Sequence, residues 1–423
     1  MQYGQPSVAE RLRPHNNSLT HLNIGFNTIG DNAIEMLTNT IKNNAVLRTL
    51  QLDLCPDITP LHYKTVCTAI RLYNSVLEEL SFADNQLTVK TVENISRILD
   101  SRDTHITKLN LSNCSLTHIH MVALAKYMPS AQHLTNIDLS GNNIGDKGAV
   151  VLVEMLEGKV SVLTNTALPP LQNIDLSSCG FTREGTATVL TALAKRTGTV
   201  EPSTDTQTTT YTTTASDTNP NTLYRLDLSN NNIGDSNPVA YAALAQCNIQ
   251  DLRFNMCKLQ SKGASILFTT LASKTTTLCN ALRYLYLSGN EISDSCAESL
   301  AQLLALNITL QSMDLGFNLF TDRHRELLRG AGSVVSTSHA AKKVYDLSIN
   351  LIGNKCDPYM LETPGMARAK SNFLFGTQPN RADPSNAGYS HIPQESRGHF
   401  MARKELDNHH RTYLPLQPFN SIN

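Results

Sequence analysis

The sequence lacks tryptophan, a surplus of charge of either sign and any long apolar run. Thirty-five Lys and Arg residues face 36 Asp and Glu residues, which leaves a formal net charge of −1 at pH 7. A chain without a basic surplus has no bulk field to attract nucleic acid or anionic lipid. No stretch approaches the roughly 18 consecutive apolar residues of a membrane-spanning helix. We therefore expect a soluble protein that binds neither nucleic acid nor membrane.

Signals of secretion are also missing. Residues 1–19 contain no apolar core of signal-peptide length. The nine cysteines are odd in number and show no CxxC spacing, which favours free thiols in a reducing compartment over a disulfide framework. The sequence therefore predicts an intracellular protein.

Motifs for catalysis or metal binding are absent as well. The Gly-rich stretch at 141–148 lacks the GxxxxGK[ST] arrangement that cradles phosphate. His118 and His120 stand two residues apart, and His409 and His410 are adjacent, so neither pair has a zinc spacing such as HExxH. We expect no enzyme activity, no cofactor and no metal site.

One pattern is present throughout the chain: LxxLxLxx(N/C)x(L/I), here called a unit, with its positions numbered 1 to 11. Units start at residues 19, 47, 77, 106, 134, 171, 223, 249, 282 and 310, and a degenerate unit fits from 342. Neighbouring starts are 26 to 33 residues apart, except for two longer steps of 37 and 52 residues. Eleven such units predict a solenoid, because no unit can bury its own apolar face alone.

Each unit begins as a strand and continues as a helix. Its core alternates apolar and polar residues with period two, and the segment behind it switches to helical spacing. In unit five, Asp146 stands where a helix N-cap is expected, and Asp31 and Asp235 repeat this arrangement. Stacked units would form a parallel sheet on the concave side, with helices on the convex side.

These repeats resemble those of the ribonuclease-inhibitor subfamily of leucine-rich repeat proteins. The resemblance covers residues 19 to about 356, and it implies an α/β horseshoe of about eleven repeats. Residues 1–18 precede this domain as an arm or a weak cap, and residues 357–423 follow it as an extended, irregular tail. The motif is specific for the fold and says little about function.

Through units one to eight, position 9 alternates between asparagine and cysteine, as in the two repeat types of that subfamily, in which its side chain points inward. We predict a structural role, because cysteines two rungs apart lie about 10 Å from each other, too far for a disulfide or a shared metal ion. The predicted ladder comprises Asn27, Cys55, Asn85, Cys114, Asn142, Cys179, Asn231, Cys257, Asn290, Asn318 and Asn350.

Two segments depart from the repeat. Twelve of the 26 residues at 197–222 are threonine, which predicts a disordered loop, either a tolerated insertion or a phosphorylated or partner-binding element. The tail has no periodicity, yet aromatic residues are spaced along it, so it either folds back over the solenoid or docks on a partner. The candidate anchors are Phe373, Phe375, Tyr389, Phe400, Tyr413 and Phe419.

Positions 3 and 5 form the concave surface that a partner would meet. Position 5 is rich in aspartate in the second half of the chain, ending at Asp346, and this acidic column is either a solvated face or a site for a basic partner. Arg and Tyr residues, which are enriched at interface hot spots, stand beside it. The predicted footprint comprises Asp138, Asp175, Arg225, Asp227, Asp251, Arg253, Tyr284, Tyr286 and Asp314.

The sequence thus predicts a non-catalytic scaffold that binds a protein with a basic surface through its concave face and tail. Repeat proteins of the resembled subfamily also occur in cilia, so a subunit of a larger cytoskeletal or axonemal assembly fits this reading. The alternative is a regulator of a small GTPase, because Ran GTPase-activating proteins are similar in having an eleven-unit solenoid. Their acidic C-terminal region has no counterpart here, since the tail holds seven Lys and Arg against six Asp and Glu.

Overall fold

A computed structural model describes residues 18–100, 104–156, 169–197, 223–235, 237–273, 276–307, 309–324 and 347–356. The predictions for the N-terminal arm, for the Thr-rich loop beyond Thr197, and for the tail with all of its aromatic anchors lie outside these residues, as does Asp346. Within the described ranges, no helix is both long and apolar enough to cross a bilayer.

The strands form one parallel sheet of eleven members in chain order, so each strand pairs with its neighbours in sequence. This confirms the predicted parallel solenoid of eleven units. The strands are β1 (His21–Asn23), β2 (Thr49–Gln51), β3 (Glu79–Ser81), β4 (Lys108–Asn110), β5 (Asn136–Asp138), β6 (Asn173–Asp175), β7 (Leu223–Asp227), β8 (Ile249–Arg253), β9 (Tyr284–Tyr286), β10 (Ser312–Asp314) and β11 (Ser348–Asn350).

Helices alternate with the strands. Those of the described residues are α1 (Asp31–Asn43), α2 (Pro60–Tyr73), α3 (Val89–Leu99), α4 (His118–Ala125), α5 (Gly145–Leu156), α6 (Arg183–Thr197), α7 (Pro238–Gln246), α8 (Gln260–Ala272), α9 (Thr277–Ala281) and α10 (Ala297–Leu306). Short 3-10 helices lie at Met128–Ser130, Asp294–Cys296 and Asp322–His324.

The core lies between the sheet and the helices. Positions 4 and 6 of each strand point into it, whereas positions 3 and 5 face the opposite side, because side chains alternate along a strand. The register pairs Leu109 with Ile137, and both side chains are buried, so position 4 builds an apolar column across the units. Each such side chain contributes about 1.5–3 kcal/mol by its burial, and a unit needs its neighbours to achieve that burial.

Unit eleven begins four residues later than the sequence pattern predicted. Strand β11 pairs Asp314 with Asn350, so Asn350 occupies position 5, and its assignment to the position-9 ladder is wrong. The ladder residue is Asn354, whose Nδ2 donates to the main-chain carbonyl of Leu315 at 2.9 Å. Two overlapping apolar–polar alternations fit this part of the sequence about equally well. The observed register is the one that buries the apolar side chains at 349 and 351.

The aspartates predicted to be N-caps serve adjacent units instead. Asp31 follows the N-cap residue of α1, and Asp235 precedes that of α7 by two residues. Helix α5 begins at Gly145, so Asp146 lies inside the first turn. Its Oδ1 accepts a hydrogen bond from the backbone N–H of Thr182 in the next unit at 2.8 Å. The carboxylate thus links two units at the positive end of a helix dipole.

Candidate protein-binding face

Position 9 side chains tie each unit to the next. Asn142 is buried, and its Oδ1 accepts hydrogen bonds from the backbone N–H groups of Cys114 and Leu116, each at 2.9 Å. Its Nδ2 donates to the carbonyls of Leu111 at 2.9 Å and Leu139 at 2.8 Å. One amide therefore satisfies main-chain groups of two successive turns that would otherwise be buried without partners.

The cysteines of the same position are inert structural groups. The Sγ of Cys114 donates to the carbonyls of Phe82 at 3.1 Å and Ser112 at 3.3 Å. Burial raises the pKa of this thiol to about 12, so the thiolate that a nucleophile or a metal ligand requires does not form at neutral pH. The position serves the architecture and leaves the concave face as the candidate site.

The position-5 carboxylates have a structural task that the sequence reasoning missed. Asp138 Oδ1 accepts from the backbone N–H of Ser140 at 2.9 Å, and Asp175 Oδ1 accepts from that of Ser177 at 2.9 Å. Asn110 makes the same bond in unit four. The side chains of the acidic column therefore also stabilise the turn after the strand by accepting a backbone hydrogen bond. An Asp or Asn two residues before a small residue is the sequence pattern that would have predicted this role.

Charge accumulates along this column. The register places Asp138 beside Asp175 and Asp175 beside Asp227, at a rung spacing of about 4.8 Å. Burial raises the pKa of all three carboxyls, and the charge of the neighbouring aspartate raises those of Asp138 and Asp175 further. Among the described residues, no group of three or more His, Cys, Asp or Glu could hold a metal ion. A cationic side chain from outside would relieve this repulsion.

We expect Asp175→Asn to raise the free energy of unfolding at pH 7 by about 1 kcal/mol, the scale of a like-charge contact at this spacing. The amide keeps the acceptor for the Ser177 N–H and removes the charge. A carboxyl whose pKa is raised by folding favours the folded state at low pH and loses that contribution as pH rises. The extra stability of the variant over the wild type should therefore shrink as pH falls towards 4. Urea unfolding of both proteins at several pH values would measure this difference. The reverse change at the same position, Asn110→Asp, should destabilise, and equal effects at pH 4 and 7 would contradict this account.

An ion cluster lies at the centre of the face. The buried Asp251 accepts hydrogen bonds from Arg253 Nε at 3.1 Å and Arg253 Nη2 at 3.0 Å. Arg225 Nε donates to the same carboxylate at 2.8 Å. The guanidinium of Arg253 lies 4.8 Å from the centroid of the Tyr286 ring, a cation–π contact. The cluster thus fixes the position of one tyrosine from below.

The predicted footprint divides by exposure. Asp227 and Asp251 are each 2% exposed and Arg253 is 9% exposed, so these three lie beneath the surface that a partner would contact, because the concave sheet packs them against neighbouring rungs. The remaining members are partly accessible: Asp138, Asp175, Arg225, Tyr284, Tyr286 and Asp314. The contact surface is therefore narrower than the sequence predicted, with the buried residues supporting it.

Two exposed residues at position 2 border the face and were missed because only positions 3 and 5 were considered. Gln311 accepts a hydrogen bond from the Tyr284 hydroxyl through its Oε1 at 3.0 Å. Tyr224 is exposed at the start of β7. Position 2 directly precedes the strand in unit ten and is the second residue of the strand in unit seven, so these two side chains extend the face along the strand entry edge.

Comparison with known proteins agrees with this architecture. Models of the leucine-rich repeat match residues 15–37, 130–153, 219–236 and 279–301, and a second such model matches residues 105–126. The mouse (Mus musculus) NACHT, LRR and PYD domains-containing protein 14 is 24% identical over 331 residues, which cover 71% of this chain and 30% of that protein. Pig (Sus scrofa) ribonuclease inhibitor is 25% identical over 309 residues, which cover 72% of this chain and 53% of the inhibitor. The chain thus spans about a third to a half of these relatives.

Among solved structures, the yeast complex of Rad7 and Elc1 contains a similar chain. It has a TM-score of 0.47 and 16% sequence identity, with 78% of this chain and 70% of that chain covered.

Proposed function

We propose that this chain, a leucine-rich repeat protein of the ribonuclease-inhibitor-like type, is a non-catalytic scaffold that binds another protein through the concave face of units five to ten. The tyrosine pair of β9 carries the proposal. Tyr284 and Tyr286 project from alternate positions of one strand and are partly exposed. The fold itself suits such contacts, since stacked units present an extended concave surface.

Both tyrosines are held in place before any partner arrives. Tyr286 rests against the guanidinium of Arg253, which is itself fixed by Asp251. Tyr284 is oriented by its bond to Gln311. Aromatic side chains that are rigid in the free protein lose little conformational entropy on binding, which is why Tyr and Arg dominate interface hot spots.

The adjoining carboxylates favour a partner with basic side chains. Asp138 and Asp175 are partly accessible, and burial together with neighbouring charge raises their pKa. A Lys or Arg side chain placed between these rungs would offset the repulsion and gain charge-assisted hydrogen bonds. Binding of this kind should weaken as salt concentration rises.

The intracellular location is a proposal that rests on the odd number of cysteines without CxxC spacing, and the assembly is a proposal that rests on resemblance. We propose an intracellular protein, cytoplasmic or cytoskeletal, with a ciliary or flagellar assembly as the more specific version and the tail as an additional contact. The relatives reported above carry neither a ciliary description nor that of a GTPase regulator. Imaging of a tagged copy tests the location, and a single-turnover GTP hydrolysis assay with small GTPases tests the regulator alternative.

The double variant Tyr284→Ala/Tyr286→Ala is expected to lose the proteins that bind the concave face. Full-length protein, the double variant and Tyr73→Ala would each be used for affinity capture followed by quantitative mass spectrometry. Tyr73 is exposed on helix α2, so it controls for loss of a surface aromatic elsewhere. We expect at least a tenfold loss of specific partners for the double variant, the effect of about 1.4 kcal/mol, and none for the control.

Unchanged partner capture would contradict this proposal. If both variants keep wild-type melting temperatures and capture the same partners, the tyrosine pair is not the binding site. Elution of the retained partners by raised salt would separately support the basic character of the partner.

A further inference from the structure

The residue at position 8, three residues beyond the end of each strand, adopts a left-handed backbone conformation. All eleven units share this geometry, with φ between 48° and 80°. Glycine, aspartate, asparagine and serine accept it at modest cost, and these types occupy seven units. The other four units place large apolar residues there: Phe26, Leu54, Met256 and Phe317.

These four side chains are also exposed. The exposed fractions are 73% for Phe26, 43% for Leu54, 48% for Met256 and 37% for Phe317. A bulky residue held in this conformation costs about 1–3 kcal/mol, and an exposed one offsets little of that cost by burial. Strained backbone combined with exposed apolar surface marks a contact site.

Met256 and Phe317 belong to one continuous edge of the sheet. The backbone N–H groups of Met256, Gly289 and Phe317 each donate to the following unit, at 2.8, 3.0 and 2.7 Å. Gly289 carries no side chain, so the edge between Met256 and Phe317 presents only backbone across a step of two rungs, about 10 Å. Leu319 is also exposed and widens the apolar surface. We call Met256, Phe317 and Leu319 the rim patch.

The chain leaves the described structure beside the rim patch. The backbone N–H of Lys355 donates to the carbonyl of Phe320 at 3.0 Å, and the description ends at Cys356. Phe373 follows 17 residues later, and an extended chain of that length spans up to about 55 Å. From unit eleven, the chain has to run back along the sheet by three rungs at most, about 15 Å, to reach every residue of the rim patch. The equivalent residues of units one and two lie nine to ten rungs away, near the limit of that reach.

We propose that the rim patch is covered by the chain's own segment Phe373-Leu374-Phe375, with an aromatic ring seated over Gly289 between Met256 and Phe317. The segment is apolar at each of its three residues, and it holds two phenylalanines within three positions, a spacing that the tail sequence does not repeat. Its local concentration is set by a short connection, so a weak contact suffices for docking. The proposal is independent of the concave-face function.

The absence of tryptophan in the chain provides a clean test. Phe375→Trp in the full-length protein introduces a single tryptophan at the segment, which is excited selectively at wavelengths where the 13 tyrosines do not absorb. We expect blue-shifted emission and several-fold weaker acrylamide quenching than for the same segment as a free peptide. Adding Phe317→Asn should restore solvent-like emission, whereas adding Leu54→Asn, the same change at the same position of unit two, should not.

Asparagine is the suitable replacement because it already occupies position 8 as Asn113 and Asn230 with left-handed backbone. The fold is therefore retained, which circular dichroism would verify. Solvent-like emission of the intact chain, or emission unchanged by Phe317→Asn, overturns the proposal. Emission that shifts with protein concentration also overturns it, because the patch is then covered by a second copy.

Discussion

Replacing Asn290 with alanine is expected to lower the free energy of unfolding by about 4 kcal/mol. Its Oδ1 accepts from the backbone N–H groups of Cys257 at 2.8 Å and Leu259 at 3.2 Å. Its Nδ2 donates to the carbonyls of Phe254 at 2.6 Å and Leu287 at 2.9 Å. The side chain is 0% exposed, so the variant removes these bonds from three buried main-chain groups, at about 1–3 kcal/mol each before local relaxation. The fourth, the Leu287 carbonyl, keeps its bond from Asn318 Nδ2 at 3.0 Å. Denaturant unfolding followed by circular dichroism would measure the loss.

The matched control is Asn27→Ala. Asn27 occupies the same position in unit one but is exposed, and its described bonds run within its own unit, to the carbonyls of Ile24 at 2.9 Å and Gly25 at 2.7 Å. Water can replace them, so the expected loss is below about 1 kcal/mol. Equal losses for both variants would show that the ladder adds nothing beyond local turn formation. Hydrogen exchange in units eight and nine would detect local unfolding, since a solenoid need not unfold as one unit.

The ladder illustrates what a repeating sequence can predict. The alternation of Asn142 with Cys114 and Cys179 was visible in the sequence, and an inward, structural position 9 follows from the resemblance. The individual bonds were not visible, because asparagines such as Asn142 and Asn290 bond the backbone of the preceding unit, and backbone atoms carry no mark in a sequence. Register failed only where the pattern was degenerate, in unit eleven, because two overlapping alternations end in Asn350 and Asn354.

The candidate site was less predictable for a different reason. Position numbers established which side chains face the concave side, but not which of them stay accessible. Asp251 and Arg253 have the same alternation as Tyr284 and Tyr286, yet the first pair is buried and the second is not. The difference depends on pairing across rungs: the Asp251 carboxylate is buried between two guanidinium groups, whereas the Tyr286 ring packs over the guanidinium of Arg253. Such neighbours come from residues 26 to 33 positions apart in the chain.

Replacing Arg253 with methionine is the second change for which we expect a large effect, a loss of about 3 kcal/mol at pH 7, the scale for breaking a buried ion pair. The variant leaves Asp227 and Asp251, each 2% exposed, without the charge of Arg253, while Arg225 keeps its bond to Asp251 at 2.8 Å. Burial raises the pKa of Asp227, and the charge of Arg253 lowers it in part, so the pKa should rise further in the variant. A group with a raised pKa loses its stabilising contribution as pH rises. The deficit should therefore be largest at pH 7 and smaller near pH 4.

Arg48→Met is the control for this experiment. Arg48 pairs with Glu78 at the surface, with side-chain exposures of 54% and 41%, and exposed pairs contribute about 0–1 kcal/mol. We expect little change in unfolding free energy and no growth of the deficit with pH. A similar loss for both arginines would contradict the assignment of the cluster as a buried, coupled group.

A double replacement separates the two roles of the cluster. Asp251→Leu/Arg253→Met exchanges a buried ion pair for apolar side chains, which often recovers the stability lost by breaking one partner. The recovery should be partial here, because Asp227 still loses the charge of Arg253. The same exchange removes the guanidinium that lies 4.8 Å from the Tyr286 ring and that orders this ring in the free protein. If the double variant regains stability but still loses its concave-face partners, the ion cluster serves to position Tyr286. If the double variant regains both its stability and its partners, Tyr286 binds without the Arg253 guanidinium, and the ion cluster does not contribute to partner binding.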